Sequence, residues 1–351
     1  MNFQQTLSGF KSAIDKELGC YFDTMIADAS KEDKLIASAL KQTKKIALAG
    51  GKRIRGALVQ CAYAGVGGKE QKKILKVACA IEFLHLFFLI HDDVIDRGDS
   101  RHQEETVNKF FSKRAKQDAE HFGNSVAIIV GDMLFAKANE IILQAGFGER
   151  ETIAALIQLQ KVVQATVVGQ GQDISIQGNE KAIENEVLRM YENKTAQYTF
   201  QGPLQLGAIL AGNKDKKTFG ILSDYAIALG IAFQLQDDIL GVFGEEKKIG
   251  KSVISDIQEG KQSLMVVYAK NKVNSVERKF LKEILGKKSI TQQELKRFKD
   301  ILIETKAKKR TCELAEKYLE KGKNEIEKAV LMPKSKNFLL DLAKYLRERE
   351  L

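Results

Sequence analysis

Residues 81–96 read IEFLHLFFLIHDDVID, and this stretch decides the fold. Its apolar residues recur at spacings of three and four, as in Ile81, Leu84 and Phe88, which is the period of a helix face and not of a strand. The helix runs into three aspartates. Asp92 and Asp96 stand one turn apart on the same face with Asp93 beside them, directly after an apolar run that must be buried. Carboxylates so placed repel one another and resist ionisation unless a cation compensates them. Magnesium suits the need, because it takes one or two carboxylates together with water and phosphate oxygens.

The same period continues outward in both directions, for example through Val126, Ile129 and Met133, and glycines punctuate it at Gly50–Gly51, Gly65–Gly68, Gly146–Gly148, Gly202, Gly212 and Gly244. Roughly ten helices of ordinary to long length result. Only 2 prolines in 351 residues, at 44% hydrophobic content, agree with an all-helical chain and exclude a disordered one. No Pro/Gly/Ser linker and no fixed-period repeat divides the sequence. It reads as one domain over 1–351, with the Lys/Glu-rich part from residue 272 onward as peripheral amphipathic helices.

Cys20, Cys61, Cys79 and Cys312 lack any C-x-x-C rhythm and read as small buried hydrophobes in a reducing compartment. The N-terminus carries charges where a signal peptide needs an apolar run. The longest apolar stretch, Val77 to Ile90, contains Glu82 and His85 and is too short and too polar to span a bilayer, so a soluble cytoplasmic protein without a transmembrane segment is expected. A formal net charge of +10 suits nucleic acid, anionic lipid or a phosphorylated small molecule. Lys and Arg are interleaved with Glu from Lys317 to Glu327 and again in Arg347-Glu348-Arg349-Glu350, as on a solvated helix face. A nucleic-acid binder would instead concentrate its bases on one helix with few acids, and no nucleic-acid partner is expected.

A second acidic cluster sharpens the choice. IAFQLQDDIL, residues 231–240, again ends a buried apolar helix with paired aspartates, Asp237 and Asp238, and puts Gln234 on their face. Two such clusters, facing each other, would clamp several Mg²⁺ ions around a diphosphate, and the metals would act as Lewis acids on its departure. Cations for a diphosphate are available in Gly50-Gly51-Lys52-Arg53-Ile54-Arg55, where the glycines permit close backbone approach, and in Arg101, Lys194, Lys251 and Lys261.

With these residues in place, the chain resembles the trans-isoprenyl diphosphate synthases, the head-to-tail prenyltransferases. GGKRIR, IEFLHLFFLIHDDVID, HFGNSVAIIVGD, GQGQD, KTAQYTF, FQLQDDILGVFG and IGKSVISDIQEGKQS match the family's elements in the family's order over residues 40 to 350. The resemblance implies an all-α, isoprenoid synthase-type bundle of ten or more helices around a central cavity. It implies isopentenyl diphosphate bound by Lys52, Arg55, His85 and the residue at His102, and an allylic diphosphate contacted by Arg101, Lys194, Thr195, Gln234, Lys251 and Lys261. Lys194, Thr195, Gln234, Lys251 and Lys261 would then be the catalytic set. Asp92, Asp96 and Asp237 resemble the metal ligands, with Asp93, Asp173 and Asp238 supporting them, for three Mg²⁺ ions with Mn²⁺ as a substitute. A homodimer is implied as well.

Three positions depart from the family pattern. His102-Gln103 stands where Arg-Gly is usual, which predicts weaker isopentenyl affinity or a pH dependence, since histidine is only partly charged near neutrality. Gly56 replaces a common proline, and Gly241 takes the third acidic position of the second motif. Phe87 and Phe88, five and four residues before Asp92, resemble the floor under the growing prenyl tail. Paired aromatics resemble the farnesyl pattern, so a C15 product is expected, with geranylgeranyl (C20) as the alternative. A terpene cyclase or a silent partner subunit are the rival readings, the first having no use for GGKRIR and His85.

Overall fold

The structure, a computed structural model, describes residues 3–177, 179, 181–244 and 253–348. Local chemistry starts many of its helices. Asp33 accepts a hydrogen bond from the Ile36 amide at 2.8 Å, and Asp215 accepts from the Lys217 and Thr218 amides, so each satisfies donors that the first helical turn leaves unpaired. Asn274 and Thr291 do the same in reciprocal capping boxes with Glu277 and Glu294.

The first helices are α1 (Phe3–Glu32), α2 (Lys34–Ala49), α3 (Ile54–Gly65) and α4 (Gln71–Ile95). A two-stranded antiparallel hairpin follows, β1 (Ser100–Arg101) and β2 (Glu104–Glu105), the only sheet among the described residues. Its turn residues His102 and Gln103 have φ of 52° and 68°, the left-handed pair that a two-residue hairpin with native twist demands. Next come α5 (Val107–Ser112), α6 (Ala119–Leu143), α7 (Glu149–Gln177) and α8 (Glu184–Tyr191). A ten-residue π-helix (Glu192–Gln201) leads into α9 (Gly202–Leu210) and α10 (Lys216–Phe243). The remaining helices are α11 (Ser255–Gln258), α12 (Leu264–Lys270), α13 (Ser275–Ile284), α14 (Gln292–Glu304), α15 (Ala307–Glu327) and α16 (Pro333–Arg347).

These elements fall into two compact units, Met1–Ile157 with Leu206–Asn213, and Gln158–Gln205 with Lys214–Leu351. In the first, α4 packs along α6 and α3, and α1 along α2; in the second, α10 packs along α15 and the π-helix. The chain passes between units inside α7, inside α9 and in the short turn between α9 and α10, and no linker composition marks these crossings. The sequence reading of one domain over 1–351 had no such signal to use.

One expectation needs correcting. Val77 to Ile90 is only part of α4, and α4, α7 and α10 are each long and apolar enough to cross a membrane by length and composition. Of the most apolar window, 61% is buried inside the protein in α4, 56% in α10 and 33% in α7, so for α4 and α10 protein packing accounts for most of the apolar surface.

Candidate active site

In the first unit the basic residues converge on the turn between α2 and α3. Gly51 has φ of +90°, open to glycine alone without strain, and Arg53 is also left-handed at 55°. Arg55 begins α3 with its Nη1 3.2 Å from Nε2 of His85 on α4. Burial, then the charges of Arg55, Arg101, Arg53 and His102, hold the His85 pKa well below the ordinary imidazole range, so the ring is neutral at pH 7. His102, carried by the hairpin turn, lies directly on the backbone of Gly50: a Cβ there would sit 2.7 Å from its Cγ and Nδ1. Burial and the charges of Arg101, Arg53 and Lys11 lower its pKa too.

Asp92 and Asp96 are half-buried, and the Asp96 amide donates to the Asp92 carbonyl at 2.7 Å, which fixes them one turn apart. Asp93 is buried and receives the Arg101 guanidinium, with Nη2 at 2.6 Å and Nε at 3.2 Å from Oδ1. One turn earlier, Phe87 is fixed by ring contacts to Phe88 at 4.8 Å, His91 at 4.7 Å and Phe135 of α6 at 5.3 Å. His91 in turn reaches the Ile128 carbonyl at 3.2 Å, and Gly131 leaves it room, since a Cβ there would be 2.3 Å from Nε2.

In the second unit Asp173 of α7 is buried and accepts from Lys194 Nζ at 2.6 Å. Lys194 and Thr195 lie in the π-helix, whose backbone is approached closely by two glycines. A Cβ on Gly169 would fall 2.3 Å from the Lys194 amide nitrogen, and one on Gly230 would fall 2.3 Å from Ala196 Cα. Thr195 Oγ1 donates to Gln234 Oε1 at 2.7 Å, and Gln234 Nε2 donates to Asp238 Oδ1 at 2.9 Å. Tyr191 donates its hydroxyl to Asp238 Oδ2 and accepts from the Leu264 amide at 3.0 Å. Burial raises the Asp238 pKa to about 7 against the hydrogen bonds from Tyr191 and Gln234, which act to lower it. Asp237 is half-buried. Lys261 is ion-paired with Glu259 at 2.6 Å and Asp256 at 3.3 Å. Lys251 lies outside the described residues.

Asp93, Asp173 and Asp238 therefore each commit carboxylate oxygens to protein donors, whereas Asp92, Asp96 and Asp237 are half-buried. Among the described residues no three His, Cys, Asp or Glu side chains converge as a ready-made ligand set. The carboxylates present are hard oxygen donors, of which Mg²⁺ takes one or two while completing its shell with water and substrate phosphate. The all-oxygen donor set fits the same ion.

Sequence reading missed Tyr191, which reads as an ordinary core aromatic at helical spacing. It also missed the partners of Arg53. That side chain is 5% exposed; its Nε donates to Asp15 Oδ1 of α1 at 2.6 Å, Nη1 lies 3.5 Å from Glu82 Oε2 of α4, and Nη2 donates to the Ala47 carbonyl at the end of α2. The second Glu82 oxygen accepts from the Gly56 amide at 3.0 Å. The signal was a lone glutamate inside the apolar run of α4, which a buried helix tolerates only with a partner.

Residues 37–302 match the polyprenyl synthetase family model. A short chain isoprenyl diphosphate synthase of Methanocaldococcus jannaschii is 33% identical over 82% of this chain and 80% of that one. A geranylgeranyl diphosphate synthase of Methanosarcina mazei is 32% identical over 88% and 89%. Among solved structures, geranylgeranyl pyrophosphate synthase from Corynebacterium glutamicum, complexed with isoprenyl diphosphate and magnesium, superposes with a TM-score of 0.92 at 26% identity, covering 98% of this chain and 99% of that one. The chain belongs to the polyprenyl synthetase family, the trans-isoprenyl diphosphate synthases. It has their all-α isoprenoid synthase fold and is a magnesium-dependent prenyltransferase.

Proposed function

We propose that the enzyme condenses isopentenyl diphosphate with an allylic diphosphate and stops at geranylgeranyl diphosphate, C20. The carrying observation is the likeness, over almost the whole of both chains, to a geranylgeranyl pyrophosphate synthase holding isoprenyl diphosphate and magnesium. The relatives' names favour the C20 alternative over the C15 product expected from Phe87 and Phe88. Phe87 packs on both Phe88 and Phe135 of α6, and Phe88 stands one turn below Asp92.

In this reading Lys52, Arg55 and the neutral His85 bind isopentenyl diphosphate, the imidazole adding a donor without another charge between two arginines. Asp92, Asp96 and Asp237 would hold up to three Mg²⁺ ions, with Mn²⁺ as substitute, and metal bound there would supply charge neutralisation that favours departure of the allylic diphosphate. Asp173 orients Lys194 toward that diphosphate, Arg101 and Lys261 add positive charge, and Thr195 with Gln234 present oriented dipoles to the developing cation. A homodimer is part of the proposal. Ile129 and Leu143 of α6 are 54% and 60% exposed, and Met133 lies between them at helical spacing, an apolar stripe that a second copy would cover.

The test is to incubate purified protein with isopentenyl diphosphate and each allylic starter, with Mg²⁺ or with EDTA, and to size the products. A C20 product that disappears with EDTA is expected. Activity surviving EDTA, or no isopentenyl consumption, would overturn the reading, and a C15 end product would overturn its chain length.

A further inference from the structure

We propose that Arg53, held by Asp15 and Glu82, is the positioning centre of the isopentenyl diphosphate site, and that α1 thereby belongs to the substrate-binding machinery. The inference rests on the reading of Lys52 and Arg55 as isopentenyl diphosphate ligands. Arg53 lies between them in sequence, yet its guanidinium turns inward: a Cβ on Gly51 would come within 3.1 Å of Nη1, so the side chain runs back beneath the glycine turn. There it meets Asp15 of α1, the last turn of α2 through Ala47, and Glu82 of α4. Glu82 spans from that guanidinium to the Gly56 amide in the first turn of α3. One buried cation thus ties four helices to a turn whose backbone holds two positive-φ residues, Gly51 and the non-glycine Arg53. Buried charges of this kind contribute little net stability but hold one arrangement against others, since removing any partner leaves the rest uncompensated.

Two further features bear on the clamp. Asp15 lies upstream of the residues that match the family model, 37–302, so the clamp extends the site into a segment outside the match. Gly56 occupies the position where proline is common, and its reason is now visible. Proline could not donate the amide hydrogen that Glu82 accepts, and a Cβ there would lie 2.7 Å from Ile14 Cδ1 of α1. Lys11 also pairs with Asp15, so this carboxylate is engaged from both sides. Arg53 touches no substrate in this scheme. It sets the direction in which Lys52 and Arg55 leave the turn, and a displacement of their charged ends by an ångström is enough to weaken a bidentate diphosphate contact severely.

The test compares the full-length enzyme with Asp15→Asn, Arg53→Lys and Asp15→Glu. It measures KM for each substrate at saturation of the other, kcat, and melting by circular dichroism. Asp15→Asn and Arg53→Lys are expected to raise KM for isopentenyl diphosphate about tenfold, with kcat and the allylic KM changed by less than about twofold. Asp15→Glu, which restores the carboxylate, is expected to recover most of the loss. A purely structural role would lower apparent kcat in step with melting temperature and leave both KM values alone, and that pattern would overturn the proposal. Asp15 is a quarter exposed at its side chain, so Asp15→Asn carries the test even if Arg53→Lys does not fold. Wild-type enzyme that consumes isopentenyl diphosphate alongside an Asp15→Asn variant with the same KM refutes the clamp and spares the functional reading. Wild-type enzyme that consumes none refutes both.

Discussion

Tyr191 shows how much one hydroxyl can organise. It donates to Asp238 and accepts from the Leu264 amide, while Asp238 also receives Gln234, which receives Thr195. The Gln234 amide is thereby held with its oxygen toward Thr195 and its nitrogen toward Asp238. Tyr191→Phe keeps the ring and removes the link, leaving a buried carboxylate oxygen and a buried amide short of a partner. The expected cost is about 2 kcal/mol of stability by urea unfolding, with a fall in kcat about tenfold as Gln234 loses its fixed orientation. Phe88 supports a second expectation at this scale. Replacing it by alanine opens the space one turn below Asp92 and should lengthen the prenyl product; an unchanged product length would show that the ring is ordinary core. The acidic clusters were legible in the sequence because like charges driven inward by apolar flanks demand a cation. Tyr191 and Asp15 were not, because a hydrogen bond over tens of residues leaves no local pattern.

At the scale of the element, the π-helix is the feature that periodicity could not reveal. ENKTAQYTFQ carries no spacing that distinguishes i→i+5 bonding from an ordinary helix, and π-helices this long are rare and concentrate at functional sites. What the sequence did contain was glycine at 169 and 230, inside helices that have no local use for it. Gly230 is needed because the π-helix backbone passes where a side chain would be. Gly230→Ala should cost about 1–3 kcal/mol through overpacking and shift Lys194 and Thr195, so unfolding and activity should suffer together. Helix positions and most caps were readable from apolar period and cap residues, since both are set within one turn of chain. Boundaries of the units were not, because two of the three crossings fall within continuous helical pattern and the third in a short turn like those between other helices.

For the whole molecule, the basic turn imposes a pH dependence. His85 and His102 both have pKa values lowered in the fold, while in the unfolded chain each protonates near the usual ~6.5. Below that pH the unfolded state binds more protons, so stability is complete above about 6.5 and is lost as pH falls through the folded values. The melting temperature is expected to drop between pH 7 and pH 5, and His102→Gln should flatten part of that slope. An unaltered slope in the variant would mean that His102 titrates alike in both states.

The passage of the chain through its two units has a consequence for its birth on the ribosome. The first unit includes Leu206–Asn213, and Gly207 there abuts the α3 backbone so tightly that a Cβ would lie 2.3 Å from the Val59 carbonyl. This N-terminal unit cannot complete its packing until residue 213 has left the exit tunnel, by which time 158–205 of the other unit has already emerged. Vectorial synthesis therefore cannot finish one half before beginning the next. The nascent chain carries an incomplete apolar core through nearly fifty further residues of translation, and slowing or pausing elongation inside that interval should raise its demand for chaperones.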